Sequence, residues 1–164
     1  MTLYLLAGIV ALTLVLVLRK EGFSGVRSGG QTSALLFRSV ARMLVLGMLL
    51  AGMTQVILPQ EVITQWIGDE SGFTGILIGA AVGMLIPGGP YVVIPLAASV
   101  FLAGAGVGPV AALITAWNTI PFTRTVMWEL PFLGGAFTTS RTLVNLPFPI
   151  VAGVLTPPVY QLLV

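Results

Sequence analysis

Long apolar stretches separated by short polar connections run along almost the whole chain. A helix that crosses the roughly 30 Å hydrocarbon core of a bilayer needs about 20 mostly apolar residues. The pattern predicts four spanning helices, at about residues 2–18, 35–58, 109–130 and 143–163. We therefore predict an all-α, polytopic integral membrane protein with a single transmembrane domain over residues 1–164.

Two further apolar pieces are shorter than a normal span. They cover about residues 73–86 and 91–105, and Pro87-Gly88-Gly89-Pro90 lies between them. Either they are two thin crossings or they form a re-entrant hairpin whose tip lies deep in the protein, and we prefer the hairpin. About four spanning helices plus a broken-helix hairpin are typical of one repeat of a transporter fold.

The composition excludes several classes of function. Only 7% of the 164 residues are charged and 57% are apolar, whereas a soluble domain carries about 25% charged residues. Seven basic and five acidic residues give a formal charge of +2, which cannot form a basic patch for nucleic acid. With no cysteine and no histidine, the chain has no thiol nucleophile, no thiolate ligand and no imidazole base. We therefore predict no enzymatic activity, no metal site and no cofactor, with the lipid bilayer as the main surroundings.

Basic residues are concentrated in the first polar connection. Residues 19–33 contain three of them among four glycines, a composition that predicts a flexible loop, and Arg38 and Arg42 extend the positive zone. The next connection, residues 59–72, has three acidic residues and no basic one. The positive-inside rule then places residues 19–42 in the cytoplasm and both termini outside, in one fixed orientation in the cell inner membrane.

The proline-rich segment at the hairpin tip is the first candidate site. Pro87, Pro90 and Pro95 each lack an N–H and free a carbonyl of the preceding turn, while Gly88 and Gly89 permit a sharp turn. Lipid offers no hydrogen-bond partner, so broken helices are tolerated only beside protein or a water-filled cavity. Transporters present such free backbone groups to a substrate or ion near mid-membrane. The alternative is that these prolines only kink packed helices.

A second candidate break lies within the predicted helix 109–130. At about 1.5 Å per residue, Asn118 falls near the midplane, and Pro121 leaves the carbonyl of Trp117 without its helical donor. Asn118 either contacts a substrate or hydrogen-bonds a neighbouring helix. Arg124 either snorkels to the inner surface or forms a basic gate that attracts an anion.

The acidic residue near the end of that helix is expected at the cytoplasmic surface. Arg124 and Glu129 lie five residues apart, which is a poor spacing for an ion pair on one helix. No carboxylate is then expected near the midplane, and this disfavours coupling to protons.

Glycines recur every four residues in the first half of the hairpin. Gly75, Gly79 and Gly83 therefore form one stripe, which permits a very close helix contact. That contact lies either inside the chain or between two copies of it.

Short motifs of proline and small residues occur between residues 75 and 122. They are Gly83-Met84-Leu85-Ile86-Pro87, Val93 to Ser99, Ala103 to Ala105, Gly108, Ala111-Ala112 and the polar break at Asn118. This arrangement resembles the core repeat of the predicted-permease family that includes organoarsenical efflux permeases. The resemblance implies a transporter with an interrupted hairpin. The family often carries cysteines beside the first proline, where this chain has Gly88-Gly89-Pro90-Tyr91, so thiol capture of an arsenical is not carried over. Family members are also about twice as long and built from two related halves, which implies that this chain is a single half.

Together these features predict a half-size permease that acts as a parallel homodimer and moves a small polar or anionic solute. Half-helix N-termini and Arg124 favour an anion. The expected substrate-binding residues are Pro87, Gly88, Gly89, Pro90, Tyr91, Pro95, Ser99, Thr115, Asn118, Thr119, Pro121 and Arg124. A non-transporting scaffold subunit of a larger complex and a channel are the alternative hypotheses.

Overall fold

The computed structural model describes residues 2–57 and 59–164, and these residues form helices without a strand. The all-α prediction is therefore confirmed for the described chain, which divides into two compact units, one up to Arg42 and one from Met43 onwards. The predicted end of the second helix, Leu58, lies outside the described residues. The helices are α1 (Thr2–Ile57), α2 (Gln60–Ile67), a 3-10 turn (Asp69–Ser71), α3 (Gly72–Leu85), α4 (Pro90–Leu102), α5 (Val107–Thr119), α6 (Phe122–Arg124), a π-helical turn (Thr125–Glu129), α7 (Leu130–Asn145) and α8 (Pro147–Leu163).

The first unit consists of two helical segments on either side of Gly22. These segments line one cleft of about 320 Å³ and so pack alongside each other. The expectation of a flexible loop over residues 19–33 is wrong, because Gly22, with φ 65°, makes the turn by itself and both flanking segments are helical. Gly25 explains the close approach, since a Cβ there would lie 2.9 Å from Cγ1 of Val17. Packing between small and apolar side chains thus stabilises helix where composition alone indicated a loop.

The second unit is built on the packing of α5 between α3 and α8. Gly79 and Gly83 of α3 lie against the backbone of α5, where an added Cβ would collide with the carbonyl oxygens of Pro109 and Leu113. The glycine stripe therefore makes a contact inside the chain. On the other side of α5, an added Cβ at Gly108 would lie 2.8 Å from the carbonyl oxygen of α8 residue Gly153.

The residues of the predicted hairpin form two short helices, α3 and α4, and the name hairpin tip is kept for residues 87–90, which join them. They contain 14 and 13 residues, which correspond to about 21 and 20 Å of helix. The chain turns between Ile86 and Gly89, and Gly88 adopts a φ of 121° that a residue with a side chain rarely takes.

Helix α4 also packs against the end of α1 that belongs to the second unit. Pro95 has no N–H to donate to the carbonyl of Tyr91. That carbonyl lies against Gly47 of α1, where an added Cβ would be 3.1 Å from the carbonyl carbon of Tyr91. The buried hydroxyl of Ser99 donates to the carbonyl of Ala51 at 3.0 Å. These contacts fix α4 beside α1 and leave its N-terminal end at the hairpin tip.

The candidate break within the predicted helix 109–130 is present in the structure. Helix α5 ends at Thr119, Ile120 leaves the helical region with φ −133° and ψ 50°, and α6 begins at Phe122. The physical reason is Pro121, which lacks an N–H and sterically pushes the preceding residue out of the helical conformation. A second break follows at Gly134, where φ is 79°.

Apolar side chains cover much of the described surface. Within the described residues, two helical stretches, Tyr4–Met53 and Val107–Leu163, are long and apolar enough to cross a membrane. Only 11% of the apolar window of each is buried, whereas a helix that is apolar on all sides in a soluble protein belongs in its core. These surfaces fit a membrane protein, with hydrocarbon as the solvent for the exposed apolar side chains.

Candidate functional site: a cavity at the helix breaks

Both proline breaks of the second unit open onto the same cavity. It has a volume of about 1060 Å³ and lies between the hairpin tip, the end of α5 and the helical run that follows Pro121. Its lining residues are Ile86, Gly88, Gly89, Pro90, Trp117, Asn118, Pro121, Thr123, Arg124, Trp128, Glu129, Phe132 and Leu133. Non-helical backbone at both breaks thus borders a cavity, the situation in which a membrane tolerates it.

The hairpin tip forms one wall of the cavity. The N–H groups of Val92 and Val93 both donate to the carbonyl of Gly89, at 3.0 and 3.1 Å. The indole Nε1 of Trp117 donates to the carbonyl of Gly88 at 3.1 Å. This bond joins the tip to α5, so the two breaks are held together by the chain itself.

The C-terminal end of α5 forms the opposite wall, and arginine side chains occupy its free carbonyls. Arg124 donates to the carbonyl of Asn118 at 2.7 Å, and Arg141 donates to the carbonyl of Thr119 at 2.7 Å. Both guanidinium groups lie where the helix dipole is negative, which favours cations. Arg124 also lines the cavity.

The carboxylate of Glu129 faces the cavity, and it pairs with Arg141 although Arg124 is nearer in the sequence. Nη1 of Arg141 donates to Oε1 and Oε2 of Glu129, at 2.8 and 2.7 Å. Their side chains are 27% and 13% exposed, respectively. The turn at Gly134 brings Arg141 back beside the π-helical turn that carries Glu129. Glu129 is not among the predicted site residues, but the structure places it in the cavity lining.

The charges at the cavity do not cancel. Arg141 is paired with Glu129, whereas Arg124 makes no ion pair among the described residues. Two guanidinium groups thus accompany one carboxylate, which leaves one net positive charge at the end of α5. No group of three or more acidic residues that could hold a metal ion occurs in the described part of the chain.

Half of the predicted site residues line the cavity: Gly88, Gly89, Pro90, Asn118, Pro121 and Arg124. Pro87, Tyr91, Pro95, Ser99, Thr115 and Thr119 do not belong to the lining. The hydroxyls of Thr115 and Thr119 donate to the carbonyls one turn earlier in α5, each at 2.8 Å. At the α5 break, the carbonyls that accept hydrogen bonds from arginine side chains are those of Asn118 and Thr119. The sequence predicted a free carbonyl at Trp117, which lies one and two residues earlier.

The sequence interpretation missed the lining residues beyond Pro121 other than Arg124. These are Thr123, Trp128, Glu129, Phe132 and Leu133. On an unbroken helix they would lie at its far end, but the break redirects the chain along the cavity. Pro121 indicated the break, because a proline inside a helix pattern ends or kinks the helix at the preceding residue, but it does not indicate the direction in which the chain continues.

Comparison with known proteins adds one finding. A family model described as predicted permease matches residues 31–157, which is most of the chain. The comparison with curated proteins and the comparison with solved structures each give no match.

Proposed function

This chain belongs to the predicted permease family, and from that premise we propose that it carries a small anion across the membrane through the cavity at its helix breaks. The observation that supports this most strongly is the cavity itself, where two proline breaks and one uncompensated arginine meet. A permease needs polar groups at a point where lipid cannot supply them, and backbone freed by broken helices provides such groups.

The preference for an anion rests on charge. Arg124 lines the cavity and uses one Nη2 donor on the carbonyl of Asn118, so its remaining donors are available to a solute. A guanidinium presents donors in a planar fork that matches the oxygens of carboxylates and oxyanions. The N-terminal end of α4 also borders the cavity at Gly89 and Pro90, and helix N-termini favour negative charge.

A second copy of the chain would complete the cavity. Three apolar lining residues, Trp128, Phe132 and Leu133, are 61%, 76% and 55% exposed. Aromatic side chains such as those of Trp128 and Phe132 are enriched at protein interfaces, and dimers with a two-fold axis are the commonest oligomers of soluble proteins. We therefore propose a half-size permease that acts as a parallel homodimer. A Phe132→Cys variant should cross-link to itself in membranes, and failure to cross-link at any spacer length would contradict this interface.

The orientation proposed for the inner membrane follows from the basic residues. Residues 19–42 contain five of the seven basic side chains, which favours a cytoplasmic position for this segment and an outer position for the termini. A single cysteine at exposed Ser28 should react with an impermeant thiol reagent only in inverted vesicles. Reaction in right-side-out vesicles would reverse the orientation.

Flux through the purified protein tests the proposed function. Proteoliposomes that contain the chain should take up at least one of radiolabelled sulfate, phosphate and acetate faster than empty liposomes, with a rate that saturates. A non-saturating rate would indicate a channel. Uptake of neutral glycerol instead would contradict the anion preference, and equal leak with and without protein would favour a scaffold subunit.

A further inference from the structure

We propose that Glu129 determines the charge of the anion that the cavity accepts, and that the solute is a monovalent oxyanion such as a carboxylate or a sulfonate. This inference rests on the proposed anion transport. Glu129 lines the cavity, whereas its partner Arg141 does not belong to the lining. The carboxylate is therefore the member of this ion pair that a solute meets, and its negative charge repels a divalent anion twice as strongly as a monovalent one.

The hydrogen bonds of Arg141 hold the carboxylate in place. Nη1 of Arg141 donates to both carboxylate oxygens of Glu129, and Nη2 donates to the carbonyl of Thr119. The Glu129 side chain is only 13% exposed, so protein surrounds it on most sides. Arg141 is thus already engaged by the protein, and Arg124 is the guanidinium group in the lining that is left to bind a solute.

The other charged side chains of the second unit do not change this balance. Helices α3, α4, α5 and α8 contain none. The unit also contains Glu61, Asp69 and Glu70, which are not among the described residues of the lining. Asp69 accepts a hydrogen bond from the N–H of Val107, at the opposite end of α5 from the cavity. Two guanidinium groups and the carboxylate of Glu129 therefore leave one net positive charge at the cavity.

One net positive charge matches a monovalent anion. Such an anion beside Arg124 makes the site neutral, whereas a divalent anion leaves an excess negative charge. That excess would lie among apolar lining side chains that include Ile86, Trp128 and Phe132, where an uncompensated charge is costly. Without Glu129, the two guanidinium groups would together balance a divalent anion. The carboxylate therefore acts as a specificity determinant, although its charge lowers the affinity for every anion.

Binding of methanesulfonate and sulfate to the purified protein tests this inference. The two anions have similar size and oxygen geometry, but the first is monovalent and the second divalent at neutral pH. In calorimetric titrations at constant ionic strength, we expect the wild type to bind methanesulfonate about tenfold more tightly than sulfate. Glu129→Gln removes one negative charge, so the affinity should rise about tenfold for methanesulfonate and about a hundredfold for sulfate. The preference of the wild type should thus disappear.

Glu70→Gln is the matched control, because it makes the same change of charge in the exposed 3-10 turn outside the cavity lining. It should keep the preference of the wild type. Equal affinity of the wild type for the two anions would overturn the inference and leave anion transport intact, and so would an equal change for both anions in Glu129→Gln, as expected of a merely structural ion pair. Absence of binding of both anions together with absence of anion flux would instead overturn the proposed function. The wild-type preference decides the question even where Glu129→Gln fails to fold.

Discussion

Replacing Arg124 with glutamate is expected to reduce anion uptake in proteoliposomes on the order of a hundredfold. The substitution removes the only uncompensated positive charge among the described residues that line the cavity, and it places a second carboxylate in the lining with Glu129. It also frees the carbonyl of Asn118, which Arg124 holds at 2.7 Å. The charge effect should dominate, because the substitution reverses a charge at the cavity wall, whereas the hydrogen bond that it removes is a single one.

Two variants separate charge from geometry in this experiment. Arg124→Lys keeps the charge but loses the planar fork of donors, so it should retain part of the uptake, whereas Arg124→Gln should retain little. Arg27→Glu makes the same change of charge at a residue outside the cavity lining and should leave the rate near that of the wild type. Equal uptake by Arg124→Glu and the wild type would show that the solute does not pass this residue.

Replacing Gly79 with leucine is expected to destabilise the folded protein by about 3 kcal/mol or more. Any side chain at this position enters the backbone of α5, since even a Cβ would lie 3.0 Å from the carbonyl carbon of Pro109 and closer still to its oxygen. Backbone on both sides leaves no flexible group that could move away. Thermal unfolding in detergent micelles should show a large fall in the midpoint, with a smaller fall of the same sign for Gly79→Ala.

Gly52 provides the control for the glycine substitution. It lies in α1, and an added Cβ there would meet no heavy atom within 4 Å. Gly52→Ala should therefore be neutral or stabilise the helix by up to about 1 kcal/mol. If Gly79→Leu changed the dimer content but not the unfolding midpoint, the glycine stripe would pack between copies, and the internal contact with α5 would be wrong.

The positions of the helix breaks could be predicted because proline acts locally. Pro87 and Pro90 delimit the hairpin tip, and Pro121 interrupts the next helix, for the same reason: a proline has no N–H to donate. The glycine stripe was also readable as a close contact. Its partner was not, since spacing along one helix says nothing about which surface it meets.

The pairing of Glu129 with Arg141 depends on backbone geometry that sequence patterns do not encode. The two residues are 12 positions apart, and Gly134, a residue type that tolerates positive φ but does not require it, turns the chain between them. Ser99 lies outside the cavity lining for a related reason. A hydroxyl beside a helix break is a plausible ligand for a solute. The hydroxyl of Ser99 instead donates to the carbonyl of Ala51, which lies 48 residues earlier in the sequence.

Water at the hairpin tip is the most direct test of the claim that the breaks border an aqueous cavity. Gly89 lines the cavity, has φ −89° and would place a Cβ within 4 Å of no other atom, so a cysteine fits there. The chain contains no native cysteine that would need removal. We predict that a Gly89→Cys variant reacts with membrane-impermeant methanethiosulfonate reagents, faster with the anionic than with the cationic one, while Leu155→Cys, on the exposed apolar surface of α8, does not. A Gly89→Cys variant that reacts only with a lipid-soluble maleimide would place the tip in hydrocarbon and contradict the account.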